Sequence, residues 1–515
     1  MDINKIIANH GKAMQERDTF SSILTDTYRY CIPSRNSWTT ASQGSENDIS
    51  IYNSHPVNAT KNFASTIVNS IAPNGFKFFD LKAKKQLGQD DKEQFNKMIT
   101  PISETLLDYL QSSNMYTALH ESCIDLAAGT GGILLTYSGD DSNPLKFQSI
   151  NMAKVSFSES STGKIDNVYQ EITDMPIDIA KACYPNCKFP ARLESVSFLY
   201  ATIYDESEKK YHTMILNKDD KEVWDDTVYN TNPFIIFRWS KLAGETWGRG
   251  VLVDNLASIK TANLMMADIL TASQRVIAPP TVVYQNSIIN PSNTDFTPNS
   301  IITVRPVEGV GNPITSLPFT GNLPFGIEFI DKFNAQLDIM LFNEPLGVVG
   351  QNGMTATEVS SRMQNYAIRI GSPYSRLQTE LLSCLINRSI DILTSRGLIP
   401  AIPDIKLQFS SPISHLQNQV DFQKTLQAIQ TIAQVSGNNA QQAIATSIDI
   451  ARLPTWIANS LGADMSLFRT TEEVTTAMNA LQKIAHQQQA MQQSSANPAL
   501  GTRPVDTGVQ GVSPV

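Results

Sequence analysis

A glycine cluster and a cysteine pair are the residues of this chain best suited to binding or catalysis. The cluster GTGG at 129–132 has the composition of a phosphate-binding loop. However, no GK[ST] follows it, and the predicted order of helix, loop and strand reverses that of nucleotide-binding motifs. Cys183 and Cys187 lie close together in CYPNC, but a metal site usually needs a second such pair or nearby histidines. The sequence therefore predicts no nucleotide site, no metal site and free cysteine thiols.

Patterns for acid–base or nucleophilic catalysis do not occur either. The six histidines form no HExxH motif, and there is no G-x-S-x-G. Paired carboxylates occur at Asp140-Asp141, Asp219-Asp220 and Asp225-Asp226. Their contexts predict solvated turns, because aspartate favours turns. The sequence thus predicts a protein that is not an enzyme and has no cofactor.

Composition and charge predict a cytosolic globular protein that does not hold nucleic acid tightly. Hydrophobic residues make up 41% of the 515 residues, enough for the cores of several domains. No run of 18 apolar residues occurs and the first residues are polar, so neither a membrane span nor a signal peptide is predicted. The formal charge is −9, and no basic block exceeds Lys82–Lys85. Because DNA binding depends on phosphate neutralisation, we expect DNA to slide past such a surface.

The stretch from Gly248 to Tyr284 contains a long helical pattern, which starts after Gly-Arg-Gly and is stopped by Pro279-Pro280. A helix of roughly 28 residues, about 40 Å long, is well above the globular mean. Its apolar stripe contains one amide, Asn263, and a polar residue on such a stripe typically sets register at a cost in stability. Replacing Asn263 with leucine is therefore predicted to raise thermal stability. The stripe has alternating four-three spacing and is called the seam; its members are Leu252, Leu256, Ile259, Asn263, Met266, Leu270 and Ile277.

The segments around this helix predict an α+β protein. Strand-forming pieces from Leu145 to Trp239 predict an antiparallel sheet with a helical insertion near Ile177–Cys183. A second long helix, 325–344, follows a proline-rich segment with short strands, so the two long helices predict an antiparallel hairpin. Other helices are predicted at 4–31, 56–71, 90–128, 355–396, 413–435, 440–450, 453–461 and 472–492, with strands at 76–81 and 404–412 and a disordered tail from 494.

A glycine-bearing loop joins the second long helix to the third. The third helix starts near Thr355 and is predicted to kink at Gly371-Ser372-Pro373. Arg362, Arg369 and Arg376 are seven residues apart on one of its faces, which is either a solvated or intersubunit face or one that contacts DNA or a neighbouring loop. The loop contains no Lys or Arg and is predicted to be mobile; it consists of Leu346, Gly347, Val348, Val349, Gly350, Gln351, Asn352, Gly353 and Met354.

Taken in order, several motifs resemble those of portal, or head-to-tail connector, proteins of short-tailed bacteriophages (podovirus type). None is a catalytic signature, but their order and spacing are specific and they span most of residues 1–475. They are NATKNFASTIVNSIAPNGFKFFDL at 58–81, WGRGVLVDNLASIKTAN at 247–263, APP at 278–280, TATEVSSRMQNYAIRIGSPYSRLQTELLSCLINRSIDILTSRGLIP at 355–400 and FSSPISHLQ at 409–417.

The resemblance implies the portal fold and a ring of identical subunits, usually twelve, at one capsid vertex. DNA would be packaged and later ejected through the ring, and the glycine-bearing loop would touch the DNA in the channel. The long amphipathic hairpin agrees with this, since it cannot bury its stripe within one subunit. The implied domains are an α+β wing (1–247), a first stem helix (248–278), a β-rich clip (279–324), a second stem helix (325–344), a tunnel loop (345–354), a long wing helix with its return strand (355–410), a helical crown (411–492) and a disordered tail (493–515).

The resemblance also implies partners and a location. The partners are further copies of the chain, the major capsid and scaffolding proteins, the terminase large subunit, a tail adaptor, internal core or ejection proteins and passing double-stranded DNA, with no membrane. The protein would assemble in the host cytoplasm and stay at the portal vertex of the virion. The alternative is another structural virion protein of the tail or capsid shell. A nucleotide-driven motor subunit is disfavoured by the missing Walker motif.

Overall fold

The computed structural model divides the chain into two compact units, Met1–Pro412 and Ile413–Val515. The second unit is described only by helical residues within 425–435 and at Ile457. The described residues are 2–35, 51–83, 89–160, 163–185, 187–190, 194–218, 220–278, 281–283, 314–316, 323–343, 368–401, 405–409, 425–432, 434–435 and 457.

The first unit mixes helices and antiparallel strands, which confirms the α+β class. Its helices are α1 (Ile3–Cys31), α2 (His55–Ile71), α3 (Gln89–Ser112), α4 (Met115–Ala128), α5 (Ile177–Cys183), α6 (Val251–Asp254), α7 (Leu256–Ile277), α8 (Leu323–Met340) and α9 (Ser383–Ser395). Its strands are β1 (Phe79–Ala83), β2 (Thr130–Tyr137), β3 (Leu145–Ser149), β4 (Val155–Glu159), β5 (Ile165–Pro176), β6 (Ser195–Asp205), β7 (Lys210–Asn217), β8 (Glu222–Tyr229), β9 (Phe234–Arg238), β10 (Thr281–Val283), β11 (Ile314–Ser316) and β12 (Ile405–Phe409).

The strands between α4 and α6 form two antiparallel sheets rather than one. A five-stranded meander has the order β4-β5-β6-β7-β8, and a three-stranded sheet has the order β3-β2-β9. The predicted helical insertion is confirmed as α5, directly after β5. Helix α1 covers the larger sheet, where Ile6 and Ala13 pack with Tyr169, Leu199 and Met214. The predicted return strand is also confirmed, because β12 pairs with β1.

Three local predictions in this region are wrong. The helix predicted over 90–128 is broken between α3 and α4, where Asn114 turns to the edge of β3 and exchanges two hydrogen bonds with the backbone of Phe147 (2.7 and 3.0 Å). The glycine cluster is not a loop, since β2 already starts at Thr130. The pair Asp225-Asp226 lies inside β8, not in a turn, because its register places it opposite Met214 and Ile215 of β7.

The predicted long helix is shorter than expected. It is interrupted at Asn255 (φ −105°, ψ 7°), whose side chain donates to the Val251 carbonyl at 2.8 Å. Helix α7 then runs for 22 residues, about 33 Å, and ends at Ile277, ahead of the two prolines as predicted. It packs against α8, while β10 and β11 form an antiparallel ladder between the two helices in the chain. We call α7 and α8 the helical hairpin.

The third long helix departs from the prediction in where it becomes irregular. Residues 368–377 are α-helical straight through Gly371-Ser372-Pro373. The hydrogen-bond pattern changes instead at Gln378–Leu382, which form a π turn before α9. Glu380, in the middle of this turn, is held by Arg238 of β9 at 2.7 Å. The irregularity of this helix therefore lies at a tertiary ion pair and not at Pro373.

Candidate functional site

The helical hairpin has one end that is buried in the unit. Leu256 and Ile259 at the start of α7 are buried, as are Leu337 and Leu341 at the end of α8. Helix α8 packs here against α2, and α6, just before α7, packs against α1 and α4. Each fully buried leucine or isoleucine contributes about 1.5–3 kcal/mol. These side chains therefore anchor the hairpin in the α+β unit.

Amide hydrogen bonds orient this buried end. Oδ1 of Asn263 accepts from the backbone N–H groups of Tyr52 (2.8 Å) and Asn53 (3.1 Å). The Asn53 side chain donates in turn to Oδ1 of Asn334 on α8, at 3.1 Å. Asn263 is only 6% exposed, so both N–H groups would lose their acceptor with it. The amide thus holds the chain before α2 against both hairpin helices, a role within one subunit that the seam interpretation did not include.

The end of α8 is closed by an aromatic cluster around Phe342. This residue has a left-handed backbone (φ 60°). The conformation costs a non-glycine residue about 1–3 kcal/mol and persists only where the surrounding contacts impose it. Its ring lies 5.7 Å from that of Trp239 and 6.5 Å from that of Phe63. The Arg369 guanidinium covers the ring at 5.4 Å and donates to the Ile339 carbonyl at 2.9 Å. A cation at a helix C-terminus also complements the helix dipole.

The other end of the hairpin leaves apolar side chains exposed. Along the seam, Met266 is half-buried, Leu270 is 45% exposed and Ile277 is 83% exposed. At the start of α8, Phe325 is 65% exposed. Several large apolar side chains exposed on one element typically mark an interaction site. Within the described residues, the exposed large apolar side chains at this end are Leu270, Val276, Ile277, Phe325, Ile327 and Phe329, and Leu264, Ile339 and Met340 are exposed on the outer side of the buried end.

A buried ion cluster holds the segment from which the hairpin departs. Arg238, 1% exposed, pairs with Glu159 of β4 and with Glu380, and donates to the Thr246 carbonyl at 2.8 Å. Burial opposes the charge of Arg238, but the hydrogen bonds that it donates to the two carboxylates outweigh this effect and raise its pKa. Burial likewise opposes ionisation of Glu159, and its bonds from Lys241 and Arg238 lower its pKa overall. Both sheets and the third long helix meet in this cluster.

Glycines allow the chain to approach itself closely next to the cluster. A Cβ atom on Gly248 would lie 2.4 Å from the carbonyl oxygen of Gly129, and one on Gly250 would lie 2.2 Å from that of Ala127. Gly129 itself has φ 141°, outside the range of other residues. The glycines of the Gly-Arg-Gly and GTGG motifs therefore allow close backbone packing between α4, β2 and α6. This packing explains why glycines cluster here without a phosphate-binding loop.

One buried constellation has the residue types of a hydrolase triad. His10 lies 3.0 Å from Ser156 Oγ through Nδ1 and 3.1 Å from Glu171 Oε1 through Nε2. Ser156 is 1% exposed within β4, so no substrate reaches its hydroxyl. The hydrogen bond from His10 lowers the pKa of Glu171 to about 2 against the effect of burial, with help from Lys218 at 2.5 Å. The group joins α1 to the larger sheet, and sequence spacing could not reveal it because its members lie 146 and 161 residues apart.

The predicted site residues are distributed unevenly over the described structure. Arg376 pairs with Glu380 at 3.2 Å and Arg369 caps α8, so both are engaged within the unit. Arg362 and the loop 346–354 lie outside the described residues and stay predictions. The cysteines are free thiols, and no group of His, Cys, Asp and Glu in the described part of the chain is placed to hold a metal ion. No described helix is long and apolar enough to cross a bilayer.

The helical hairpin is anchored at one end and exposes apolar side chains at the other, as expected of a structural protein that binds other protein chains. The family model of bacteriophage head to tail connecting proteins matches residues 4–468. The chain belongs to this family, which confirms the resemblance of its motifs. It therefore has a portal or connector role at the head–tail junction of the virion, in contact with capsid and tail components. No curated protein matches the sequence.

Proposed function

We propose that the protein assembles into a closed ring of twelve copies at the portal vertex. The ring is the channel for genome packaging and ejection, and it docks the terminase and later the tail. The chain carries no catalytic activity of its own in this role. The hairpin is the stem, and 279–324 is the clip. The glycine-bearing loop lines the channel and touches DNA without gripping it, as its lack of Lys and Arg suggests.

The exposed apolar end of the hairpin is the observation that carries this proposal. Leu270 and Ile277 continue the seam whose first members are buried within the subunit, so the same stripe changes from an intramolecular to an uncovered surface. A neighbouring copy can cover such a stripe through a head-to-tail contact. If the rotation between successive copies adds up to a full turn, the contacts form a closed ring and no copy keeps an uncovered stripe. Since Leu270 is 45% exposed in the subunit, covering it completely contributes roughly half of the 1.5–3 kcal/mol of a fully buried leucine, about 0.7–1.4 kcal/mol.

Mass photometry and negative-stain imaging of the purified protein test the proposal. Wild type should form rings with an axial hole. Leu270→Gln should raise the concentration needed for half-assembly about three- to tenfold, which corresponds to about 0.7–1.4 kcal/mol, with an unchanged circular dichroism spectrum. Leu242→Gln is the matched control, because Leu242 is also exposed but lies outside the hairpin. Sheets, tubes or monomers formed by the wild type would instead favour a tail or shell component. If the two variants assemble equally well, the hairpin does not form the contact between neighbouring copies.

A further inference from the structure

The π turn at Gln378–Leu382 interrupts an otherwise α-helical stretch. A π turn contains one residue more than an α turn, has poorer hydrogen-bond geometry and is frequent at functional sites. Here the backbone N–H of Ser383 reaches the Gln378 carbonyl, and its Oγ donates to the same oxygen at 2.8 Å. Cys384 Sγ lies 3.6 Å from the Thr379 carbonyl. Two side chains thus support carbonyls that the wide turn leaves poorly bonded.

The centre of this turn is held by one residue of the three-stranded sheet. Glu380 accepts from Arg238 through the backbone N–H (3.0 Å), Nε (3.2 Å) and Nη2 (2.7 Å). Charge-assisted bidentate pairs of this kind are among the stronger hydrogen bonds in proteins. Because Arg238 is buried at the end of β9, it cannot follow a movement of the helix. The ion pair therefore holds the turn in its π form.

The helix on the N-terminal side of the turn reaches the helical hairpin. Residues 368–377 lead from the turn to Arg369, which caps α8 at the Ile339 carbonyl and covers Phe342. On the C-terminal side, Leu385 and Ile386 are buried and α9 packs against β2. One side of the turn is thus fixed to the sheet, and the other side ends on the hairpin about 16 Å away, at 1.5 Å per residue.

We propose that the π turn and Arg369 form one conformational device that couples the three-stranded sheet to the hairpin. When Glu380 leaves Arg238, the π turn closes to an α turn. Residues 368–377 then shift by about 1.5 Å along the helix axis and rotate by about 100°. Such a rotation takes Arg369 off the Ile339 carbonyl and off Phe342, and the end of α8 loosens. By reciprocity, loss of the Arg369 contact destabilises the π turn.

Hydrogen exchange of the full-length protein tests this device without depending on ring formation. Glu380→Gln should speed exchange at least about fivefold in two separate regions, 368–377 and 335–343, because residues 368–377 lose their contact with the hairpin when they rotate and the end of α8 loses its cap. Arg369→Gln should speed exchange at 335–343 and, to a smaller extent, at 378–386. Glu245→Gln is the matched control, since it breaks another Arg–Glu pair, at 2.7 Å from Arg249, and should change neither region.

Two results would overturn the proposal. If Glu380→Gln affects only the residues next to the ion pair and leaves 335–343 unchanged, the pair is a local contact without coupling. If exchange rises by one common factor in all helices, including α1 and α4, the variant has lost global stability and the π turn is not a separate device. A rise confined to the two predicted regions supports the coupling, because a merely structural role does not select them.

Discussion

Replacing Asn263 with leucine is expected to destabilise the protein, which reverses the sign predicted from the seam alone. The substitution removes the acceptor of the Tyr52 and Asn53 N–H groups (2.8 and 3.1 Å). Each of the two orphaned donors costs about 1–3 kcal/mol, together about 2–6 kcal/mol, and the added apolar burial returns at most about 1.5–3 kcal/mol. The net loss is about 2 kcal/mol, which lowers Tm by about 2 °C in a unit of 412 residues, because the entropy of unfolding scales with chain length.

Thermal unfolding and hydrogen exchange of the variant together check this reasoning. The amides of Tyr52 and Asn53 should exchange faster in Asn263→Leu than in the wild type. Asn263→Asp keeps acceptor oxygens at this position, so the two amides should exchange more slowly in it than in Asn263→Leu. Gln274→Leu is the control, because it makes the same amide-to-leucine change at an exposed position of α7. If Asn263→Leu is more stable than wild type and the two amides exchange unchanged, the hydrogen bonds contribute nothing net and the seam interpretation stands.

Two further predictions concern the α+β unit. The folded pKa of Glu171 is lowered to about 2, so the stability that its carboxylate contributes is present above about pH 4.5 and is lost as the pH falls toward 2. This contribution is up to about 3 kcal/mol. The free energy of unfolding of Glu171→Gln should therefore fall less steeply with decreasing pH than that of the wild type. Gly250→Ala should destabilise by about 3 kcal/mol or more in denaturant titrations, because the new Cβ would lie 2.2 Å from the Ala127 oxygen. Gly371→Ala, which meets open space in a helix, should stabilise by about 0.5–1 kcal/mol, and a similar loss in both variants would contradict the packing argument.

Local sequence chemistry predicted the elements whose limits depend on neighbouring residues. Helix α2 has Pro56 in its first turn and ends before Pro73, and α7 ends before Pro279, as proline's missing N–H requires. The antiparallel sheet and its helical insertion followed from short strand patterns separated by turn residues. The family followed from the order of motifs, which is also information along the chain.

Features set by distant residues could not be predicted in this way. The break at Asn114 depends on Phe147, 33 residues away, and the contact of Glu380 with Arg238 spans 142 residues. The role of Asn263 depends on backbone N–H groups about 210 residues earlier. A polar residue on an apolar stripe has the same sequence signature whether its partner is a neighbouring subunit or an earlier segment of its own chain.

The contrast between the two ends of the hairpin bears on how the proposed ring forms. At the buried end, buried leucines and the Asn263 hydrogen bonds hold the helices in one position, so this end is ordered before assembly. At the exposed end, Val276 and Ile277 are 48% and 83% exposed, and local opening there should be easy. A neighbouring copy that covers this surface orders it while binding, so part of the association free energy goes into ordering. An anchored base limits that loss, because it restricts the directions in which the exposed end can move before the neighbour arrives.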